Sequence, residues 1–308
     1  MSQYDYFQID LDNEQSTHTQ LIRLAGENKR ILDVGCAGGL LARVLKEKFN
    51  CEITGIELDH ESGAKAAEHC KRVIIADLDQ VNLLEHFSPG EFDVALLADV
   101  LEHLKNPGRI LSQLFELVGE YVVISVPNVT HSAILYELLQ GKFDYRELGL
   151  LDRTHLRFFT RDSILKLIED AGFIPDRIQR TLIPAPRTEF ASDTSRLPPE
   201  VCRAIEARDE ADTYQFIIRA RKPQLAELIG VNGEADVDAL KNLLIEKNRA
   251  QAQLETELAT LRKKVAVIES ENSKLARSLD WYNAKLRTAL ASQYELIEQQ
   301  NSSEERKA

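Results

Sequence analysis

Four acidic residues follow successive apolar segments, and their side chains can hold a ligand that carries positive charge. They are Asp33, Glu57, Asp77 and Asp99. The first acid stands two residues before a turn of small residues, which starts at Gly35 and ends at Gly39. Glycines let the backbone approach a ligand closely, and the helix that begins there offers unpaired N–H groups. An acid beside this turn favours a nucleotide-like ligand with an amino or sulfonium group and disfavours a pyrophosphate.

The turn departs from the dinucleotide-binding pattern G-x-G-x-x-G, because Ala37 stands where the second glycine should be. S-adenosylmethionine (SAM) carries both an ammonium and a sulfonium group, whereas NAD carries neither. The residues therefore favour SAM as the ligand, with Asp33 facing its cationic part. A glycine turn that only packs a strand on a helix is the alternative.

Proton transfer is the second chemistry that the sequence suggests. His103, shortly after Asp99, is the first candidate for a general base, and His155 is the second. The alternative for His103 is packing against, or capping, the next helix. Glu102 assists His103 or binds a divalent ion with Asp99. Because no complete set of ligands is evident, no metal is predicted.

Four arginines in and beside the connection from residue 127 to 160 suit an anionic acceptor. They are Arg146, Arg153, Arg157 and Arg161. Four nearby acids balance their charge, namely Asp144, Glu147, Asp152 and Asp162. Internal salt bridges are therefore the favoured interpretation of these arginines, and an acceptor pocket is the alternative.

Alternating apolar strands and amphipathic helices must position these residues. Five strand-like segments before residue 127 are separated by helical patterns, which predicts a parallel sheet with helices on both faces. Ligands bind beyond the carboxyl ends of such strands, where all four acids fall. Glu57 then suits ribose hydroxyls, with helix capping, a role open also to Asp59, as its alternative. Asp77 suits an adenine amino group or opens the following loop.

Composition limits the classes of partner. The chain has 308 residues and a formal net charge of −12, which makes nucleic acid and anionic membranes poor partners. Its four cysteines form no C-x-x-C motif, which fits a reducing compartment and gives no disulfide framework. No apolar run approaches the length needed to span a membrane, and no signal peptide is evident. The sequence predicts a cytoplasmic protein, which reaches the inner membrane only through partners.

A heptad pattern occupies the C-terminal part of the chain. Residues 223–239 are predicted to form a linker, residues 240–300 a coiled-coil helix and residues 301–308 a disordered tail. Leu254, Leu261 and Leu275 fall on one heptad position, and Leu258 on the other. Asn272 at an a position favours two parallel strands, which predicts a homodimer, with a trimer as the alternative. A single helix that folds back on the first domain is the other alternative.

The motifs together resemble class I SAM-dependent methyltransferases. The resemblance lies in Asp33-Val-Gly-Cys-Ala-Gly-Gly39, Glu57, Asp77 and Asp99-Val-Leu-Glu-His-Leu104, and it covers roughly residues 20–222. It implies a Rossmann-like, seven-stranded α/β sheet whose final strand is antiparallel. It also implies that the first acid and the turn hold the methionine part of SAM, Glu57 the ribose and Asp77 the adenine. The predicted cofactor-binding residues are Asp33, Gly35, Ala37, Gly39, Glu57, Leu58, Asp77, Leu78, Ala98 and Asp99.

The sequence thus predicts a methyltransferase domain over residues 1–222, most simply an O-methyltransferase. The string from Asp152 to Thr160 resembles methyltransferases of bacterial surface-polysaccharide pathways, which implies a sugar hydroxyl or glycan chain end as acceptor. A scaffold that recruits glycosyltransferases through the coiled coil is one alternative. O-methylation of a small metabolite such as a quinone precursor is the other.

Overall fold

The computed structural model describes residues 9–190, 194–224 and 264–265. The chain divides into two units after Leu228, so the described residues up to 224 all lie in the first unit. The linker, the coiled-coil helix and the C-terminal tail predicted above, on which the predicted self-association depends, lie outside the described residues, apart from 223–224 and 264–265. They stay predictions.

A seven-stranded sheet organises the first unit. Its strands are β1 (Arg30–Val34), β2 (Glu52–Glu57), β3 (Arg72–Ile75), β4 (Phe92–Ala98), β5 (Val118–Pro127), β6 (Ile174–Leu182) and β7 (Thr213–Arg221), in the spatial order β3-β2-β1-β4-β5-β7-β6. The first five strands pair in parallel, whereas β7 runs antiparallel to both β5 and β6. The predicted seven-stranded α/β sheet with an antiparallel final strand is confirmed.

Seven α-helices accompany the sheet in the described residues. They are α1 (Thr17–Ala25), α2 (Leu40–Phe49), α3 (His60–Ala66), α4 (Pro107–Leu117), α5 (Ser132–Leu139), α6 (Arg161–Asp170) and α7 (Pro199–Glu206). Helix α6 begins with a capping box, in which Thr160 and Ser163 satisfy each other's backbone N–H groups. Within the described ranges, no helix has the length and apolar character that crossing a membrane requires.

Two apolar layers cover the two faces of the sheet. In β1, Ile31 and Leu32 are both fully buried and belong to different clusters, because successive strand residues point to opposite faces. One cluster packs α1, α2 and α3 on its face, and the other packs α4 and α6. Burial on both faces explains why the central strands β1, β2, β4 and β5 are largely continuous apolar runs.

A third apolar cluster covers the segments beyond β5. It joins α5 and α7 to the connections that precede α6 and follow β6, through Ile134, Tyr136, Leu150, Phe190 and Ile205. The sequence analysis treated residues 127–160 as one long connection and did not predict α5. This cluster fixes the segment that carries His155, the second candidate base.

Candidate functional site

A cavity of about 570 Å³ opens at the carboxyl ends of the central strands. Nine of the predicted site residues line it, namely Asp33, Gly35, Ala37, Gly39, Ala98, Asp99, Glu102, His103 and His155. The glycine turn forms one half of the wall, which we call the donor half. The segments that follow β4 and α5 form the other half. Glu57, Leu58, Asp77 and Leu78 are not part of this wall.

The glycine turn has the backbone conformation that its sequence suggests. Gly35 and Gly39 have φ angles of 73° and 78°. A Cβ at Gly35 would lie 2.8 Å from Val100 Cγ2, and one at Gly39 would lie 2.8 Å from the Cα of Ala66. Only glycine fits both positions, because they combine left-handed backbone with close packing.

Ala37 also lies in the left-handed region, with a φ of 45°. Its backbone N–H donates to Glu57 Oε2 at 2.8 Å, which holds the turn against the end of β2. We expect Ala37→Gly to raise the free energy of unfolding by about 1 kcal/mol, because glycine removes the steric cost of this conformation. Urea denaturation measures this change. A destabilised variant would contradict the assigned strain.

The Glu57 carboxylate is bound to backbone amides. Besides Ala37, it accepts from the N–H groups of Leu58 and Asp59, each at 2.9 Å. Asp59 caps α3 through the N–H of Ser62, so the capping alternative belongs to Asp59 and Glu57 ties the turn to the strand. Contact of Glu57 with a ribose stays a prediction.

Asp77 similarly organises its own loop. Its carboxylate accepts from the backbone N–H of Asp79 at 2.8 Å and from the side-chain amide of Gln80 at 2.7 Å. Leu58, at the neighbouring strand end, is 66% exposed. Contact of Asp77 or Leu58 with an adenine stays a prediction.

Asp33 is a buried acid whose environment favours a cationic partner. It is 1% exposed, and its Oδ2 has no hydrogen-bond partner. Burial, assisted by the charge of Glu57, raises the pKa of Asp33 to about 7. A carboxylate desolvated in this way is stabilised by a positively charged ligand in the cavity.

Asp99 is held firmly at the end of β4. It has a φ of 54°, which is uncommon for a residue with a side chain. Ser125 Oγ donates to Asp99 Oδ1 at 2.6 Å and accepts from the Asp99 N–H at 3.0 Å. Gln215 Nε2 lies 2.9 and 2.8 Å from the two carboxylate oxygens.

Glu102, His103 and His155 meet on the other half of the cavity. One ligand atom of each lies within 4.8 Å of those of the other two. Glu102 is 1% exposed, and neither carboxylate oxygen has a hydrogen-bond partner. Burial, and then the charge of Asp99, raise the pKa of Glu102 well above its usual range. The Glu102 carboxyl group can therefore bind a proton, a metal ion or a hydrogen-bond donor of a ligand.

Hydrogen bonds determine which nitrogen of His103 carries the proton. Thr154 Oγ1 donates to Asp152 Oδ1 at 2.7 Å. That hydroxyl has no second hydrogen, so His103 Nδ1, 3.1 Å away, must be the donor in their contact. The neutral imidazole then has its lone pair on Nε2, as a general base requires.

The second histidine is oriented in the same way. His155 is 8% exposed, and its Nδ1 lies 3.3 Å from the carbonyl oxygen of Leu150, which can only accept. Burial, and then the charge of His103, lower the pKa of His155. The carbonyl oxygen of Glu102 accepts from the N–H groups of Leu156 and Arg157, which anchors this segment to the end of β4.

The four arginines take different partners. Arg153 pairs with Glu147 at 3.0 Å and Arg161 with Glu210 at 3.7 Å. Arg157 donates to the carbonyl oxygen of Lys105, and Arg146 stacks on the Phe190 ring at 4.5 Å from its centre. Of these contacts, only the ion pair between Arg153 and Glu147 is a salt bridge between one of the four arginines and one of the four acids that the sequence analysis set against them. None of the four lines the cavity.

A comparison with protein families decides the identity of this domain. A family model described as a methyltransferase domain matches residues 12–176, just over half of the chain. The chain belongs to the SAM-dependent methyltransferases. Its methyl donor is SAM. Contact of the glycine turn and Asp33 with this donor stays a prediction, although the turn allows a close backbone approach and the Asp33 carboxyl is buried with one oxygen unpartnered.

Two relatives of the methyltransferase are named ubiquinone biosynthesis O-methyltransferase. The protein of Psychrobacter arcticus is 28% identical over 163 residues, which cover 51% of this chain and 63% of the relative. That of Paracidovorax citrulli is 32% identical over 198 residues, which cover 59% of this chain and 79% of the relative. The chain thus spans less than two thirds of the length of the first of these relatives.

A solved structure supports the fold. The crystal structure of a SAM-dependent methyltransferase from Archaeoglobus fulgidus has a TM-score of 0.50 and 20% identity, and the match covers 69% of this methyltransferase and 95% of that chain. At this identity the likeness shows the fold alone.

The cavity wall includes residues that the sequence analysis did not predict, and four of them are polar residues on α1 and β7. They are Thr17, His18, Tyr214 and Gln215. The first two open α1, and the other two lie on β7, which pairs with the end of β5. Their positions depend on the antiparallel return of β7 beside β5, and no local motif marks them.

Proposed function

We propose that the methyltransferase methylates a hydroxyl group of a small phenolic molecule, of the kind from which quinones are built. The observation that carries the proposal is the meeting of Glu102, His103 and His155 in the same cavity as the donor residues. The names of the two relatives support a phenolic hydroxyl as the acceptor. A hydroxyl gains from a base during transfer, because the oxygen becomes a better nucleophile as its proton leaves.

In this proposal, one half of the cavity binds the methyl donor and the other half binds and deprotonates the acceptor. The glycine turn and Asp33 hold the donor, Glu57 binds its ribose, and Asp77, with Leu58 beside Glu57, binds its adenine. Bound SAM supplies a methyl group on a positively charged sulfur. His103 Nε2 takes the proton of the acceptor hydroxyl, and Nδ1 stays bound to Thr154. The wall around both halves aligns the two reactants.

Thr154 is expected to act as a positioning residue for His103. We expect Thr154→Val to lower kcat by about tenfold to a hundredfold, because the Nδ1–H of His103 loses its side-chain acceptor and keeps only the carbonyl oxygen of residue 154, which is 3.3 Å away. Thr154→Ser keeps the hydroxyl and is expected to retain nearly full kcat. Steady-state kinetics of the two variants, with SAM affinity measured in parallel, test this role. Equal losses in both variants would instead indicate a packing role.

A divalent cation is a second candidate for activating the hydroxyl. The favouring observation is the buried, unpartnered carboxyl group of Glu102 beside two imidazoles whose Nδ1 atoms face oxygen atoms. Such contacts are typical of histidines that bind metal through the other nitrogen. Treatment of the protein with EDTA, followed by addition of Mg²⁺ or Zn²⁺, separates the candidates. Full activity after EDTA supports His103 alone, and loss that a metal ion restores assigns the cation.

A defined acceptor tests the proposed function directly. The purified protein is incubated with SAM and 3,4-dihydroxybenzoate, a simple catechol used as a probe. The expected result is formation of S-adenosylhomocysteine (SAH) together with a product heavier by one methylene. The matched control is 3,4-dimethoxybenzoate, whose ring hydroxyls are already methylated. Product from neither compound, or from both equally, would count against a phenolic acceptor.

The glycan acceptor predicted from the sequence gains no support from these relatives. The polysaccharide role, the coiled-coil self-association and the glycosyltransferase partner stay predictions. The last two depend on residues beyond 224, nearly all of which lie outside the described part of the chain.

A further inference from the structure

Gln215 joins three elements around the Asp99 carboxylate. Its Nε2 lies within hydrogen-bond distance of both oxygens of Asp99, and its Oε1 accepts from Thr17 Oγ1 at 2.5 Å. A carboxylate can only accept, so the NH₂ group must face Asp99 and the amide oxygen must face Thr17. Thr17 Oγ1 in turn lies 3.2 Å from Thr181 Oγ1 on β6.

This contact determines where the charge of Asp99 points. The left-handed backbone of Asp99 is an unfavourable conformation, which the surrounding contacts must maintain. Ser125 secures one oxygen and the N–H of Asp99, whereas Gln215 reaches both oxygens from β7. Loss of Gln215 would leave Oδ2 with no protein partner among those described and release the carboxylate to turn about its χ angles.

Asp99 stands where the two halves of the cavity meet. Its charge raises the pKa of His18 on one side, against the larger effect of burial, and contributes to raising that of Glu102 on the other. The methyl group of the donor must face the acceptor, so the sulfur that carries it lies at this junction. Asp33 lies on β1 beside the glycine turn, on the donor half.

We infer that Gln215 is a positioning residue that holds the Asp99 carboxylate toward the donor's sulfonium charge, so that the protein distinguishes SAM from its neutral product. The inference depends on the donor site and not on the identity of the acceptor. SAM and SAH differ at the sulfur, which is charged in one and neutral in the other, and both carry the same ammonium group. A residue that acts on the sulfur charge therefore affects SAM alone.

The dissociation constants of SAM and SAH for the Gln215→Met variant test this role. We expect the dissociation constant of SAM to rise about tenfold, in the range of a lost hydrogen bond to a charged group. That of SAH is expected to stay within about twofold of the unchanged protein's value, since the turn and Asp33 are intact. Isothermal titration calorimetry provides both constants without any acceptor.

A matched control and a milder variant complete the experiment. Gln179 is an exposed glutamine on the adjacent strand β6, and Gln179→Met is expected to change neither constant. Thr17→Val leaves Gln215 in place, removes its second anchor and is expected to weaken SAM binding by a smaller factor. It also serves as the test if Gln215→Met does not fold. Equal weakening of SAM and SAH, or unchanged SAM affinity in a folded variant, would overturn the inference, even if the protein methylates a phenol.

Discussion

Replacement of His103 by alanine is expected to lower kcat by about 10²–10⁴-fold, the usual contribution of a positioned general base. SAM should still bind with unchanged affinity, because the donor is held by the glycine turn and Asp33. The loss should appear in kcat more than in KM, since the imidazole takes a proton during transfer rather than before it. Steady-state kinetics with the catechol probe and calorimetry with SAM provide the two readouts.

A suitable control for His103 is another histidine on the same domain. His86 is exposed and does not line the cavity, so His86→Ala should leave both readouts unchanged. Normal turnover in His103→Ala would remove this histidine as the base. Loss of SAM binding in the same variant would show that the substitution disturbs the donor half, and the kinetic loss would then have another cause.

Asp33→Asn is expected to weaken both SAM and SAH by about a hundredfold, in the range for loss of a buried charged hydrogen-bonding partner. Both molecules carry the ammonium group, so both should lose affinity. This pattern distinguishes Asp33 from Gln215, whose substitution should affect SAM selectively. Calorimetric titration of both ligands measures the difference. Wild-type affinity for SAH in Asp33→Asn would exclude the assigned contact.

The same substitution is expected to stabilise the ligand-free protein above neutral pH. The folded-state pKa of about 7 lies above the ordinary value of 3.8, so ionisation of Asp33 opposes folding. The contribution of the protonated Asp33 to the free energy of unfolding is fully present below pH 4 and is lost as the pH rises toward 7. The full effect is on the order of 4 kcal/mol, and asparagine avoids it. Urea denaturation at pH 5 and pH 8 should show a larger gain at pH 8.

SAM affinity should depend on pH for the same reason. Below about pH 7 the Asp33 carboxyl is protonated in the free protein, and the proton must leave before the ammonium group binds. The affinity should therefore fall by up to about tenfold per pH unit below 7 and level off above it. Asp33→Asn should remove this slope. A slope that persists in the variant would assign the titration to another group.

The strands and the acids at their ends were predictable from the sequence because both depend on local patterns. Buried parallel strands are continuous apolar runs, and Asp33 and Asp99 each stand at or just after the end of such a run. Strands that run in the same direction end at one edge, which brings these acids to one cavity. Gly35 and Gly39 were recognisable because their positions require the backbone freedom of glycine.

Other features depend on contacts between distant segments. The binding of Glu57 to Ala37 depends on how closely the turn approaches the end of β2. The contact between Gln215 and Asp99 depends on the antiparallel pairing of β7 with β5. The tautomer of His103 is determined by Thr154, which is brought to it by the apolar cluster of α5 and α7. Sequence spacing carries no sign of any of these contacts.

The nature of the acceptor is tested most directly with methyl-labelled SAM and an extract of the organism that encodes the protein. After incubation, the extract is separated into small molecules, lipid-linked glycan, protein and RNA. The predicted result is label in small phenolic molecules, where it is present as a methyl ether, and no such label when His103→Ala replaces the unchanged protein. Label in the glycan fraction, with none in the small molecules, would contradict a phenolic acceptor and favour the sugar hydroxyl.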